Sequence, residues 1–235
     1  MVAGGQSLQR NFDKRAILSA HPLFGKLGPQ VIDRLTSYAH TKTFAAGAII
    51  FERGDPGDCL FAVLAGSVRI SNRSSDGKDA VFNLINPGDV FGEIALLDGR
   101  ERTADAQALT DCALMRIDRR DFIPILTGQP ELAMKLIELL CSRLRHTSEQ
   151  VEDMLFLELP GRLAKTLLWL AENASNRKVS ITQREVGQIV GMTRESTNKQ
   201  LRDWEQRNWV RLERGGVTIL NPNALAAIAA AEPDA

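Results

Sequence analysis

The spacing of apolar residues changes along the chain, and each change marks a different kind of element. Residues 8–38 read as helical, with Ile17, Leu18, Leu23, Val31, Ile32 and Leu35 in short apolar patches broken by Pro22, Gly25 and Gly28. From His40 to Asp118 the texture becomes short β-type runs: AIIFE (48–52), CLFAVLAG (59–66), SVRISNR (67–73), AVFNLIN (80–86) and CALMRID (112–118). Turn-rich segments separate them, namely GDPGD (54–58), SSDGKD (74–79) and NPGD (86–89). Many short strands at this spacing predict an antiparallel barrel or jelly roll.

From about Pro130 to Leu155 the period is helical and long. Ala133, Ile137, Leu140, Leu144, Thr147, Val151 and Met154 step alternately by four and three, which is a heptad seam. The seam predicts a parallel two-helix contact in a homodimer, against the simpler reading of a helix packed on its own barrel. Pro160 suits a helix start, so a second helix is expected from Pro160 to about Asn173, with a hinge near 157–160. A short polar loop (173–178), a helix-turn-helix pattern (182–207), a β-wing (209–220) and an Ala-rich C-terminal helix follow. The chain is therefore expected to be α+β, in three parts. Residues 1–128 form the barrel with N-terminal helices, 129–156 the dimerisation helix, and 157–235 a winged helix-turn-helix domain.

Composition narrows the function. The 235 residues carry 29 basic and 29 acidic side chains, but residues 160–220 hold 11 basic against 6 acidic. A locally basic part of a neutral chain suggests a phosphate-backbone partner. No run of eighteen apolar residues is present, so no membrane span is expected. The N-terminus lacks a basic-then-apolar signal pattern, and a cytoplasmic location is expected. Cys59, Cys112 and Cys141 are too scattered for a disulfide framework or a metal cluster and read as small buried hydrophobes. Neither a metal nor a covalent cofactor is expected, and no nucleophile–base pairing points to an enzyme.

Two segments carry the chemistry. In FGEIALLDGRERTA (91–104), Gly92 permits close backbone approach. Glu93, Ile94 and Ala95 open a short helical turn whose amides could face an anion. Arg102 offers a planar fork for phosphate oxygens, Thr103 a hydroxyl, and the Glu93 carboxylate an acceptor for sugar hydroxyls. The plainer alternative is that Arg102 and Glu93 pair with each other on a barrel rim. In the second segment, Thr182 and Glu185 form a capping box before a first helix, Gly191 permits the turn, and Thr193 caps a second helix from Arg194 to about Gln206. Ile189, Val190, Leu201 and Trp204 are the expected inner face. Arg194, Glu195, Asn198 and Lys199 point outward as base readers of double-stranded DNA. Gln183, Arg184, Thr193 and Ser196, with Thr182, suit phosphate contacts.

The string G-E-I-A-L (92–96) followed by R-T-A (102–104) resembles the phosphate-binding cassette of cyclic-nucleotide-binding domains. RLRHTSEQVEDMLFLELPGRLAKTLL (143–168) and ITQREVGQIVGMTRESTNKQL (181–201) resemble the dimer helix and the DNA reader of the Crp–Fnr transcription regulators, closest to the cyclic-AMP receptor branch. The resemblance covers roughly residues 20–220. It implies an allosteric effector, cyclic AMP by preference. Thr103 makes cyclic GMP the alternative, because a Thr after the phosphate Arg accompanies cyclic-GMP selectivity in eukaryotic domains of this kind. It also implies that Thr147 and Ser148 contact the base, Ser148 from the opposite subunit. Arg194 and Glu195 match the branch's reading motif, while Lys199 stands where that motif has Arg and Asn198 where it has Gly. RNA polymerase is implied as a partner, yet the 173–178 loop is several residues shorter than the polymerase-contacting loop of that branch. Two rival readings are a ligand-independent regulator with a vestigial pocket and a cyclic-nucleotide-binding regulatory subunit of an enzyme.

Overall fold

The computed structural model describes residues 13–73, 79–172, 177–179, 181–213 and 215–230. Most of the segments expected to turn at 74–79 and to loop at 173–178 falls outside them. The described chain divides into two compact units. One comprises the residues up to Val68 with Ile85–Leu139; the other comprises Arg69–Leu84 with the residues from Leu140 onward.

In the first unit, α1 (Lys14–Ala20) and α2 (Pro29–Tyr38) precede the strands. Asp13 caps α1 by accepting from the Ala16 amide, and Pro29 starts α2. One sheet has the order β1 (His40–Phe44), β8 (Cys112–Asp118), β3 (Cys59–Ala65), β6 (Val90–Phe91), every pairing antiparallel. β2 (Ile49–Phe51) pairs with β7 (Asp105–Ala108), and α3 (Glu93–Asp98) follows β6. The sheets are jelly-roll-like and do not close into a barrel. Leu18, Phe24, Leu35, Leu60, Leu96, Met115, Ile117 and Phe122 are sealed in one core with Leu132 and Leu136. The last two belong to α5 (Pro130–Phe156), so this helix does pack on its own β domain. It does so with a different stripe from the heptad seam. Ile137, on that seam, is 50% exposed.

In the second unit, β4 (Val68–Arg73) pairs with β5 (Asp79–Ile85). The C-terminal half of α5 is followed by α6 (Leu159–Glu172), which packs on α7 (Gln183–Val190) and α9 (Pro222–Ala229). α8 (Arg194–Gln206) follows α7 across Gly191, which is left-handed at φ 75°. β10 (Val210–Glu213) and β11 (Gly216–Ile219) form the wing, and β9 (Lys178–Val179) pairs with β11. The seam residues Leu144, Val151 and Met154 are 67%, 53% and 56% exposed. Of the cysteines, Cys59 and Cys112 are buried as expected, but Cys141 is exposed, because its position on α5 falls on a face that the unit does not cover.

Candidate functional site

The cassette is built by a strand end, a glycine and a short helix. β6 delivers the chain to Gly92, which caps α3 in the left-handed region at φ 80°. A Cβ there would also lie 2.6 Å from Nη1 of Arg102, so glycine is required both for the turn and for the close approach. Arg102 is held in that space. Its Nη1 donates to the Gly92 carbonyl at 2.8 Å, and its Nη2 donates to the Cys59 carbonyl at 2.8 Å and to Cys59 Sγ at 3.2 Å. The guanidinium carbon sits 4.2 Å from the Phe51 ring centroid, a cation–π contact.

Arg102 is only 4% exposed. Removing a cation from water costs several kcal/mol unless charge and hydrogen bonds compensate. Two carbonyls and a ring supply part of that compensation, while Nε is buried without a hydrogen-bond partner. Cys59 does not neutralise the charge. Burial pushes its thiol up to about 11, outweighing the downward pull of Arg102 and Arg116, so the sulfur stays uncharged at neutral pH. The arrangement is a buried, oriented cation with a donor to spare, chemically suited to a phosphate oxygen.

The remaining cassette residues divide by exposure. Glu93 is buried at 2%, Ala95 is buried, Ile94 is 46% exposed and Thr103 is exposed. Thr147 and Ser148 lie on the exposed surface of α5, in the other unit. Their hydroxyls donate to the carbonyls of Arg143 and Leu144, each at 2.9 Å. With that hydrogen committed, each oxygen keeps lone pairs for an incoming donor. Two contributors escaped the sequence reading. Phe51 looked like one more strand residue, and Cys59 like a small hydrophobe.

The reader follows its sequence pattern closely. Thr182 accepts from the Glu185 amide while the Glu185 carboxylate accepts from the Thr182 amide, which closes the capping box. Thr193 accepts from the Ser196 amide and caps α8. Val190, Leu201 and Trp204 are buried, and Ile189 is half-buried. Arg194, Glu195, Ser196 and Lys199 are exposed, and Asn198 is half-buried on the same face. Thr182, Arg184 and Thr193 are exposed, with Gln183 half-buried. Gly187 and Thr197 have a packing role that no motif of the sequence marks. A Cβ on Gly187 would stand 2.5 Å from Thr197 Oγ1, so glycine lets α7 and α8 meet closely. Thr197 turns its hydroxyl back to the Thr193 carbonyl at 2.9 Å, which satisfies it inside the core.

Comparison with known proteins gives a consistent result. Residues 41–128 match the cyclic nucleotide-binding domain family, and residues 161–228 match the Crp-like helix-turn-helix domain family. A CRP-like cAMP-activated global transcriptional regulator of Mycobacterium tuberculosis is 34% identical over 217 residues, covering 89% of this chain and 97% of that one. The cyclic AMP receptor protein of Thermus thermophilus is 32% identical over 212 residues, covering 90% and 98%. A crystal structure of a CRP/FNR-family transcriptional regulator from Thermus thermophilus superposes with a TM-score of 0.67 at 28% identity, covering 83% of this chain and 100% of that one. These relatives are transcription regulators, not enzymes. Among the described residues no His, Cys, Asp or Glu group could hold a metal ion, and no helix is long and apolar enough to cross a membrane.

Proposed function

We propose, on the premise that this chain belongs to the Crp–Fnr family of DNA-binding transcription regulators, that it is a cytoplasmic homodimer whose binding to a palindromic site is controlled by cyclic AMP. The observation that carries the nucleotide assignment is the buried Arg102 guanidinium, pinned by Gly92 and Cys59 with Nε unpartnered. A cyclic phosphate diester supplies the anion, and the buried Glu93 carboxylate is the acceptor for a ribose hydroxyl. Thr147 and Ser148 are assigned to the base. Their committed hydroxyl hydrogens leave acceptors, which favours the adenine amino group over the guanine carbonyl at that edge. Thr103, exposed beside Arg102, is the residue through which cyclic GMP would compete.

The exposed seam supports the dimer. Four large apolar side chains half-exposed or more at heptad spacing are a stripe that a second copy covers. Two copies would set their α8 helices roughly 34 Å apart, one turn of DNA. Arg194 is assigned to guanine, Glu195 to a cytosine amino group, and Lys199 with Asn198 to the neighbouring step. Gln183, Arg184, Thr182, Thr193 and Ser196 are assigned to phosphates. RNA polymerase is the further partner that transcription regulation implies.

The test is a polarisation assay with a palindromic duplex selected by the protein itself from random sequence, run with and without cyclic AMP. Binding is expected to tighten with the nucleotide, and equal binding in both conditions defeats the gating. Calorimetric titration with cyclic AMP and cyclic GMP decides the purine.

A further inference from the structure

The part of α5 that belongs to the second unit touches α6 at two points. The outer contact is aromatic. The His146 ring on α5 stacks on the Trp169 ring of α6, centroids 4.2 Å apart and planes 15° from parallel. The inner contact is ionic. Lys165 Nζ lies 2.6 Å from Asp153 Oδ1. His146 and Asp153 are seven residues apart on α5, so the two contacts are separated by two turns, roughly 10 Å. A single contact between two helices is a pivot. Two contacts separated along the axis fix the angle.

Their surroundings make that angle consequential. Gln150 Nε2, midway between them, donates to the Phe82 carbonyl of β5 at 3.4 Å. Ile189 of α7 lines the same small cavity, of about 50 Å³, as His146 and Trp169. α6 in turn packs directly on α7, the first helix of the reader. On the other side, His146 immediately precedes Thr147 and Ser148. The imidazole Nε2 is buried without a hydrogen-bond partner. Burial also holds the ring's proton affinity below the usual histidine value, against the upward pull of Glu149 and Asp153 and with the downward push of Lys165. The ring is therefore neutral at neutral pH, as a flat stacking surface on the indole should be.

We propose that the His146–Trp169 stack, with the Lys165–Asp153 pair, is a two-point clasp that sets the angle of α6 on α5, and that His146 is a positioning residue for nucleotide control of the reader. This inference rests on the cyclic-AMP-gated reading above. The helix that carries the base-contacting hydroxyls is the helix clasped to α6. A shift of α5 at Thr147 reaches α7 only while α6 follows it, and the clasp makes it follow.

The experiment has two arms, both on the full chain. The first is the His146 ring-proton resonance, which the Trp169 ring current should place upfield of that of the exposed His40. Trp169→Leu should return it to the His40 position. A His146 signal that already coincides with that of His40 in the wild type overturns the clasp. The second arm is the ratio of DNA affinities with and without cyclic AMP. His146→Leu preserves volume but not the stack, and should change that ratio at least about five-fold, the lower end of ordinary allosteric coupling. His146→Phe, which restores a stacking ring, should hold the ratio within about two-fold of wild type, whereas a role in stability alone would lower both affinities alike and leave the ratio unmoved in every variant. A normal wild-type ratio that His146→Leu leaves intact overturns this inference alone. A wild-type ratio of one overturns the gating reading, and this inference with it.

Discussion

The side chains assigned to the phosphate and the ribose lie inside the first unit, whereas those assigned to DNA lie at the surface of the second. Glu93 and Arg102 are 2% and 4% exposed. Arg194, Glu195 and Lys199 are all exposed, and the one buried polar side chain of α7 and α8 among the described residues, Thr197, serves packing. The physical reason is the size of the partner. A small anion can be enclosed, and an enclosed cation is screened from it less than it would be in water. A duplex cannot be enclosed, so its reader exposes charged side chains on a rigid helix and depends on core packing for their direction. Substitutions at the buried Glu93 and Arg102 should therefore lower ligand affinity and stability together, without unfolding the chain. Substitutions on the face of α8 should affect recognition alone.

The largest expected effect is at Arg102. Arg102→Ala removes the only fork assigned to the phosphate, and truncating one partner of a buried charged contact costs about 2–5 kcal/mol. Calorimetry should show a loss of roughly a hundred-fold or more in cyclic-AMP affinity, with circular dichroism confirming a folded chain. Retained affinity would remove the buried half of the comparison.

His21 sharpens the same half through pH. It is 4% exposed, its Nδ1 accepts from the Leu23 amide, and burial lowers its pKa from 6.5 to about 4 against a weaker upward pull from the Asp89 backbone. The unfolded chain takes up the proton as pH falls through 6.5, while the folded chain refuses it until about 4. The stabilisation is thus complete above pH 6.5 and is lost progressively between 6.5 and 4, amounting to about 3 kcal/mol. Urea midpoints measured at pH 7 and 4.5 should fall along this slope in the wild type and fall less in His21→Gln.

Gly187 tests whether the reader depends on packing. Gly187→Ala places a methyl group 2.5 Å from Thr197 Oγ1 and 3.2 Å from the Met192 carbonyl. Overpacking of this kind costs about 1–3 kcal/mol. Thermal melting should show the loss, and adding Thr197→Ala should recover part of it in a double-mutant cycle.

The smallest expected change in stability is at Lys199. Lys199→Ala should leave the melting midpoint unchanged and relax preference at one base step by about 1–3 kcal/mol. Binding-site selection is the measurement. A uniform loss over all sequences would reassign Lys199 to a phosphate.

The two regions also differ in how far they could be read in advance. The reader is local. Capping box, glycine turn and second cap follow one another within twelve residues, from Thr182 to Thr193, and each is a near-neighbour hydrogen-bond pattern. The apolar period of α8 then assigns inner and outer faces without further information, although the Gly187–Thr197 approach remained hidden because nothing in either residue type announces it. The cassette was legible only as a string. Gly92, Glu93 and Arg102 could be named, but Phe51 and Cys59 could not, since they come from β2 and β3. The seam on α5 was legible as a period. That the same helix also buries Leu132 and Leu136 in its own core was not, because two apolar stripes on one helix look alike until a partner surface is known.

Neighbours within a few positions dictate the order of elements, the change from strand to helix period, both helix caps of the reader and the candidate chemistry of residues 92–103, so all of these are legible along the chain. Tertiary structure alone decided what holds Arg102, which carbonyls accept from it across 10 and 43 positions, and that its charge is buried. It alone brought His146 face to face with Trp169. Contacts between residues so distant in the chain arise from how finished elements pack, and no local period encodes them.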